Sequence, residues 1–427
     1  MKIAFYTLGC KVNQYESQAM SEFMSDNGYN VVPANEKADI YVINSCTVTA
    51  ESDRKTRQTV RRFKRNNPDS IIVLTGCMPQ AFPKDAEILE QADIVMGNKN
   101  NHRLLELIEK YKASKERIIC IEEHKTGDKF CGNIISGFDR RTRAIVKIED
   151  GCNRFCSYCI IPYARGRVRS KPIDELKTEL ENLSNAGFSE IVLVGINLSA
   201  YGTDIGLSIC DAVELAAQMS FSRIRLGSLE PDHITDEVIN RLSKIEKFCP
   251  QFHISLQSGC DNTLKAMNRH YTSAQYKELC LKLRNAFDDT TITTDIMVGF
   301  PTESEDDFKC SVEFAKKIGF EKVHVFPYSP REGTKAASMI QLERSLKERR
   351  SRMMIEETEK IRTVFLENQI GKKTDVLFET RKSDGYIEGY TKNYTPVKVK
   401  AELTCGEIRN VEIIGVDGDF CIGKITE

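Results

Sequence analysis

Residues 150–170 read DGCNRFCSYCIIPYARGRVRS. Cys152, Cys156 and Cys159 stand at CxxxCxxC spacing, and Arg165, Arg167 and Arg169 follow at once. A structural zinc site is almost always four-coordinate, yet the next cysteine downstream is Cys210 and no histidine lies near this loop in sequence. An iron–sulfur cluster differs: cysteine thiolates hold its irons, and three of them leave one iron open for a substrate or cofactor.

The triad follows AIVKIE (144–149), the first of six strand candidates. The others are IVLVGI (191–196), RIRLGSL (223–229), HISLQS (253–258), TTDIMVGF (293–300) and KVHVFPYS (322–329). Helix-length segments such as PIDELKTELENLSNAG separate them. Six βα units are too few for a closed eight-fold barrel, so an open, partial barrel is expected, with its site at the carboxyl ends of the strands. A charged helix closes this region, which spans 144–368. Upstream, residues 1–112 alternate KIAFYTL, DIYVINS, IIVLTG and DIVMG with helical stretches, the pattern of a parallel sheet covered on both faces. A polar linker (113–143) holds one strand candidate, RIICIEE, and residues 369–427 change to short strands, a small all-β barrel. The fold class is therefore α/β with a terminal all-β module.

The chain has 427 residues and a formal net charge of −1, so bulk charge is no argument for a nucleic-acid partner. Fifteen cysteines without a signal sequence or an apolar run long enough to span a bilayer argue against disulfides and for a cytoplasmic, membrane-free setting. Three of them, Cys10, Cys46 and Cys77, each end a predicted parallel strand. Neighbouring strands lie about 4.8 Å apart, so the thiols can converge on one sheet edge as a second cluster site; three buried cysteines under turns is the plainer alternative.

With Tyr158 before the last cysteine, the CxxxCxxC loop resembles that of the radical S-adenosylmethionine family, whose core is a partial (β/α)6 barrel. There the open iron chelates S-adenosylmethionine, and an electron passed to the sulfonium yields a 5′-deoxyadenosyl radical. LGCKVNQYES (8–17), VINSCTVTAESDRKTRQ (42–58) and VLTGCMPQ (73–80) resemble the methylthiotransferase branch, and the likeness runs over essentially the whole chain. It implies two 4Fe–4S clusters, an auxiliary one on Cys10, Cys46 and Cys77 and a radical one on Cys152, Cys156 and Cys159. It implies S-adenosylmethionine as methyl donor and radical source, with Tyr158, Gly195, Glu230, His253, Gln257 and Asp295 around it. It implies a terminal barrel of the TRAM type that binds RNA, a tRNA substrate, and an electron donor and sulfur source that the sequence does not identify. Lys11-Val12-Asn13-Gln14 fits the branch acting on N6-threonylcarbamoyladenosine beside the anticodon; the isopentenyladenosine branch, usually Gly-Cys-Gln-Met-Asn here, is the alternative.

Several residues admit two readings. The run Asp53–Arg65 carries seven basic residues, among them Arg61, Arg62 and Arg65, and is either a solvated helix face or a phosphate contact. Arg165, Arg167 and Arg169 present the same choice. His253 and Asp295 are either hydrogen-bonded core groups or part of a cofactor pocket. Lys11 and Arg331 are candidate partners for the substrate's carboxylate, or ordinary loop charges. Residues 369–427 hold 9 Lys and Arg against 10 Asp and Glu, so the RNA role of this module comes from the resemblance alone. Phe378, Tyr386, Tyr390 and Tyr394 are its candidate stacking surfaces, or parts of its core.

Overall fold

The computed structural model describes residues 1–132, 134–137 and 142–426; residues 133 and 138–141 of the expected linker, and residue 427, lie outside the described residues.

The amino-terminal strands are β1 (Lys2–Thr7), β2 (Asn30–Val32), β3 (Ile40–Ser45), β4 (Ile71–Gly76), β5 (Ile94–Met96) and β6 (Ile118–Cys120). They form one parallel sheet in the order β2-β1-β3-β4-β5-β6. β3 and β4 are buried along their whole length, as strands covered on both faces must be. Separate apolar clusters fill the two faces, one around Ile3, Val42 and Val73, the other around Tyr41, Ile43 and Leu74. Helix α1 (Lys11–Asp26) follows β1, α2 (Ala50–Asn66) follows β3, and the short α3 (Cys77–Ala81) follows β4 directly. RIICIEE supplies β6, so this sheet reaches past residue 112.

The second region starts at β7 (Arg143–Lys147). Its strands run parallel in the order Arg223–Leu226, Glu190–Val194, β7 on one side and Ser228–Leu229, Gln251–Ile254, Thr291–Val298, Lys322–Pro327 on the other. The two arcs meet at Gly227, where one strand passes from the first to the second, and the result is the expected open six-unit arc. Helices such as Ile173–Asn185 and Glu305–Ile318 bury Leu176, Leu180, Phe308 and Ala315 against it. The Glu305–Ile318 helix is held by a capping box from Ser304 and Asp307 and ended by Gly319 in the left-handed conformation. A 24-residue helix, Arg344–Glu367, leads to the third unit.

That unit is a closed five-stranded barrel, Lys373–Arg381, Tyr386–Thr391, Pro396–Lys400, Phe420–Ile425 and Ile408–Asp417. Phe378 is fully buried in its core with Val376 and Ile387, so it presents no surface to a base. The barrel docks on the amino ends of the central strands. Arg223 donates to the Tyr390 carbonyl at 3.0 Å, and Arg225 to the Lys392 carbonyl at 3.2 Å. Tyr390 and Tyr394 stack on one another at 4.3 Å, with the Arg143 guanidinium over both rings. Of the four candidate stacking aromatics, these two are therefore already engaged within the chain. Among the described residues no helix is long and apolar enough to cross a membrane.

Candidate functional site

β1, β3 and β4 are adjacent, with Thr7 opposite Asn44 and Ser45 opposite Gly76. Their carboxyl ends therefore deliver Cys10, Cys46 and Cys77 to one edge of the sheet. Glycine makes the approach close enough. At Gly9, φ is +123° and a Cβ would lie 2.9 Å from Cys46 Cβ; at Gly76, φ is +100° and a Cβ would lie 2.4 Å from the Ser45 carbonyl oxygen. The Cys10 thiol donates to Asn13 Oδ1 at 3.3 Å. Burial pushes the Cys77 thiol up to about 12; the Arg165 guanidinium opposes that shift, and Cys46 and Cys10 add to it. Cys46 is also raised by burial.

The second triad lies on the loop after β7. Phe155 takes a left-handed φ of +49°, and Cys159 N–H donates to the Cys156 carbonyl at 2.9 Å, which folds the loop tightly. The backbone N–H of Arg154 donates to Cys152 Sγ at 3.4 Å, and Arg269 donates to Cys156 Sγ at 3.3 Å. Burial raises the Cys152 thiol and pushes Cys159 up to about 12. All six cysteines are free thiols.

One cavity of about 340 Å³ is lined by Cys159 of the second set and by the turn that follows Cys46 of the first. Val48 and Thr49, from the turn after Cys46, form one wall; Tyr158 and Cys159 form another; Gln257 and Asp295 complete it. Gln257 has a left-handed φ of +66°, is 8% exposed, and leaves its Oε1 without a partner. A buried acceptor left unpaired costs about 1–3 kcal/mol, and a ligand donor in this cavity would satisfy it. The residues fit the implied groups. All-thiol donor sets suit iron–sulfur clusters, and an unpaired amide oxygen beside Cys159 suits a polar cofactor. Among the described residues no three His, Cys, Asp or Glu side chains converge on a single metal ion, and a cubane spreads its thiolates over separate irons.

The other expected cofactor residues divide. Asp295 lines the cavity and pairs with His253, Nε2 to Oδ2 at 3.2 Å, while the other His253 nitrogen meets Thr293 Oγ1 at 3.0 Å. Gly195 packs so tightly that a Cβ would lie 2.6 Å from Glu149 Oε2. Glu230 is paired with Arg269 at 2.5 Å, so it reaches the radical triad through that arginine. Arg269 ends the segment HISLQSGCDNTLKAMNR, but nothing in its local spacing marks it as a thiol partner.

The two candidate carboxylate readers take different places. Arg331 is 5% exposed, donates to Asp53 at 2.5 Å and to Thr47 at 2.8 Å, and lies 4.7 Å from the Phe82 ring centroid. It is a buried tie between α2 and the loop after the sixth core strand, made through Nη2, while its Nε is left without a partner. Lys11 is exposed and lines a different cavity, with Arg143, Glu379 and Tyr394. Arg165 and Arg169 are 0% and 6% exposed, so neither belongs to a solvated face nor to an open phosphate site. Arg61, Arg62 and Arg65 are exposed on α2, with Arg62 lying over Tyr6 and Phe63. α2 starts at the cavity wall, where Thr49 caps it by accepting from the Ser52 N–H at 3.2 Å.

An open parallel arc with a CxxxCxxC loop at its carboxyl end defines a radical S-adenosylmethionine enzyme. Residues 146–315 match the radical SAM superfamily, and residues 2–97 match the family described as "Uncharacterized protein family UPF0004". The Bacillus subtilis threonylcarbamoyladenosine tRNA methylthiotransferase MtaB is 36% identical over 423 residues, 96% of this chain and 93% of that protein. The tRNA-2-methylthio-N(6)-dimethylallyladenosine synthase of Caldicellulosiruptor saccharolyticus is 32% identical, covering 98% and 91%. Among solved structures, the radical methyltransferase TsrM from Kitasatospora setae superposes with a TM-score of 0.57 at 13% identity, over 79% of this chain and 74% of that one, which speaks to fold alone. The chain belongs to the radical S-adenosylmethionine methylthiotransferase family. Membership of the radical SAM superfamily implies a 4Fe–4S cluster and S-adenosylmethionine.

Proposed function

We propose that this enzyme transfers a methylthio group to C2 of N6-threonylcarbamoyladenosine beside the tRNA anticodon, using a second, auxiliary cluster on Cys10, Cys46 and Cys77, in the cytoplasm. The observation that carries the reading is one cavity lined both by the radical-loop residues Tyr158 and Cys159 and by Val48 and Thr49 of the Cys46 turn. When bound, the clusters and S-adenosylmethionine supply the radical and the sulfur that an unreactive C–H bond requires.

The chain's own residues position and shield. Tyr158, packed with Met267, Met297 and Phe300, gives the cavity an apolar wall. Gln257 Oε1 and the Asp295 carboxylate orient donors of the bound cofactor, and His253 holds Asp295 in place. Thr49 and Ser329 stand at the mouth, tied together by the Ala50 N–H donating to Ser329 Oγ at 3.1 Å. An anticodon-loop base is unpaired and therefore cheap to extract into such a site.

The exposed arginines of α2 run away from this mouth, where phosphates flanking an extracted base would lie. Removing Arg61, Arg62 and Arg65 together is expected to weaken tRNA binding and flatten its salt dependence by roughly 0.7–0.9 log units for each phosphate that the helix no longer neutralises. A filter-binding series across salt concentrations measures this; an unchanged slope returns the helix to a merely solvated face.

The threonylcarbamoyl substrate is supported by the Lys11–Gln14 motif and by the names of the MtaB relatives. One observation favours the dimethylallyl reading: among the described residues no lysine or arginine lines the cavity, which presents Val48, Ile160, Ile161 and Phe326. Purified, reconstituted enzyme given matched tRNAs of each kind decides between them by nucleoside mass spectrometry. The threonylcarbamoyl tRNA is expected to be methylthiolated at least tenfold faster, and preference for the dimethylallyl form would reverse the assignment.

A further inference from the structure

Arg165 closes the short helix Ile161–Arg165, six residues after Cys159, and so belongs to the radical core. Its side chain nevertheless reaches the amino-terminal domain, where it is 1% exposed. Nε–H donates to Cys77 Sγ at 3.3 Å. A second donor reaches Asn13 Oδ1 at 3.2 Å, the same oxygen that accepts the Cys10 thiol. The remaining donors face Glu16, with one contact at 3.0 Å, and Asp150 at 3.4 Å. Lys147 bridges those two carboxylates at 2.8 and 2.7 Å, and Arg169 approaches Asp150 at 3.5 Å. The buried network thus holds three cations against two carboxylates. Of these three cations, Arg165 is the one that touches an amino-terminal thiol, at Cys77. A cluster held by three thiolates is an anion, and reduction makes it one unit more negative.

We propose that Arg165 is the positioning residue of the amino-terminal triad: the radical core lends it a guanidinium that fixes Cys77 and, through Asn13, Cys10, and that raises the reduction potential of the cluster they hold. Hydrogen bonds to cluster sulfurs and nearby positive charge favour the reduced state. The auxiliary site is then complete only when the two domains are closed on one another. Lysine cannot replace Arg165, because it lacks the fork that serves Cys77, Asn13 and Glu16 together.

The inference rests on the auxiliary-cluster reading, and its test separates the two. The full chain with Cys152, Cys156 and Cys159 changed to Ala is reconstituted anaerobically, so that iron loads the amino-terminal triad alone, and is titrated with dithionite under optical and EPR detection. Three further changes are compared in this background: R165Q, R165K, and R165Q with E16Q, which removes both members of the Arg165–Glu16 pair so that neither is stranded without the other. Arg165→Gln, with or without Glu16→Gln, is expected to keep its iron while the reduction equilibrium moves at least tenfold toward the oxidised form, about 59 mV for one electron. Arg165→Lys is expected to move it in the same direction by less. A potential unchanged from the parent in any loaded Arg165 variant overturns the proposal. A parent that binds no iron at this triad overturns the auxiliary-cluster reading along with it.

Discussion

Changing Cys152, Cys156 and Cys159 to Ala is expected to reduce cleavage of S-adenosylmethionine to the uncatalysed background, and methylthiolation with it. Changing Cys10, Cys46 and Cys77 is expected to leave 5′-deoxyadenosine production measurable while abolishing methylthiolation. The asymmetry follows from position. The first triad shares its loop with Tyr158, and its Cys159 lines the same cavity as Gln257 and Asp295. The second lies on the facing domain and contributes only the turn after Cys46 to that cavity. Chromatographic assay of 5′-deoxyadenosine and of modified nucleoside from the same reactions separates the two losses. Methylthiolated tRNA from the Cys10/Cys46/Cys77 variant would remove that triad from sulfur transfer.

Arg331 carries the second large effect. Its pair with Asp53 is 5% and 8% exposed, and its loss strands a buried carboxylate. Breaking a buried pair from one side typically costs 3–5 kcal/mol, whereas replacing both partners is often close to neutral. Arg331→Met is therefore expected to destabilise the protein by about 3–5 kcal/mol in chemical denaturation, and D53N combined with R331M to recover most of it. The recovered double variant should keep the wild-type preference between the two tRNAs. Loss of that preference in a stable double variant would restore Arg331 as a reader of the substrate's carboxylate.

The fold was legible where strands are long and apolar. IVLVGI, TTDIMVGF and KVHVFPYS each became a core strand, and the cysteines that end KIAFYTL, DIYVINS and IIVLTG share one sheet edge. The three-residue strand β6 was readable as a strand but not as the sixth member of that sheet, because nothing local names its neighbour. Buried arginines were the main failure. Arg165 meets Glu16 across 149 residues, and Arg331 meets Asp53 across 278. Charge in a loop reads as solvated unless its partner is known, and a partner so distant leaves no periodic trace. The same holds for Arg269, whose ties to Glu230 and Cys156 join three separate loops. The terminal aromatics admitted both a stacking and a packing role, and Phe378, Tyr390 and Tyr394 take the packing one, the last two where the amino ends of the core strands close over them.

The proposed chemistry requires two cluster sites, one on each triad, and iron counting tests this most directly. Anaerobically reconstituted wild-type protein is expected to bind about eight irons, four for each cluster, and each triple-alanine variant about four. A folded wild-type chain that saturates at about four irons, with the Cys10/Cys46/Cys77 variant binding the same amount, would contradict the account.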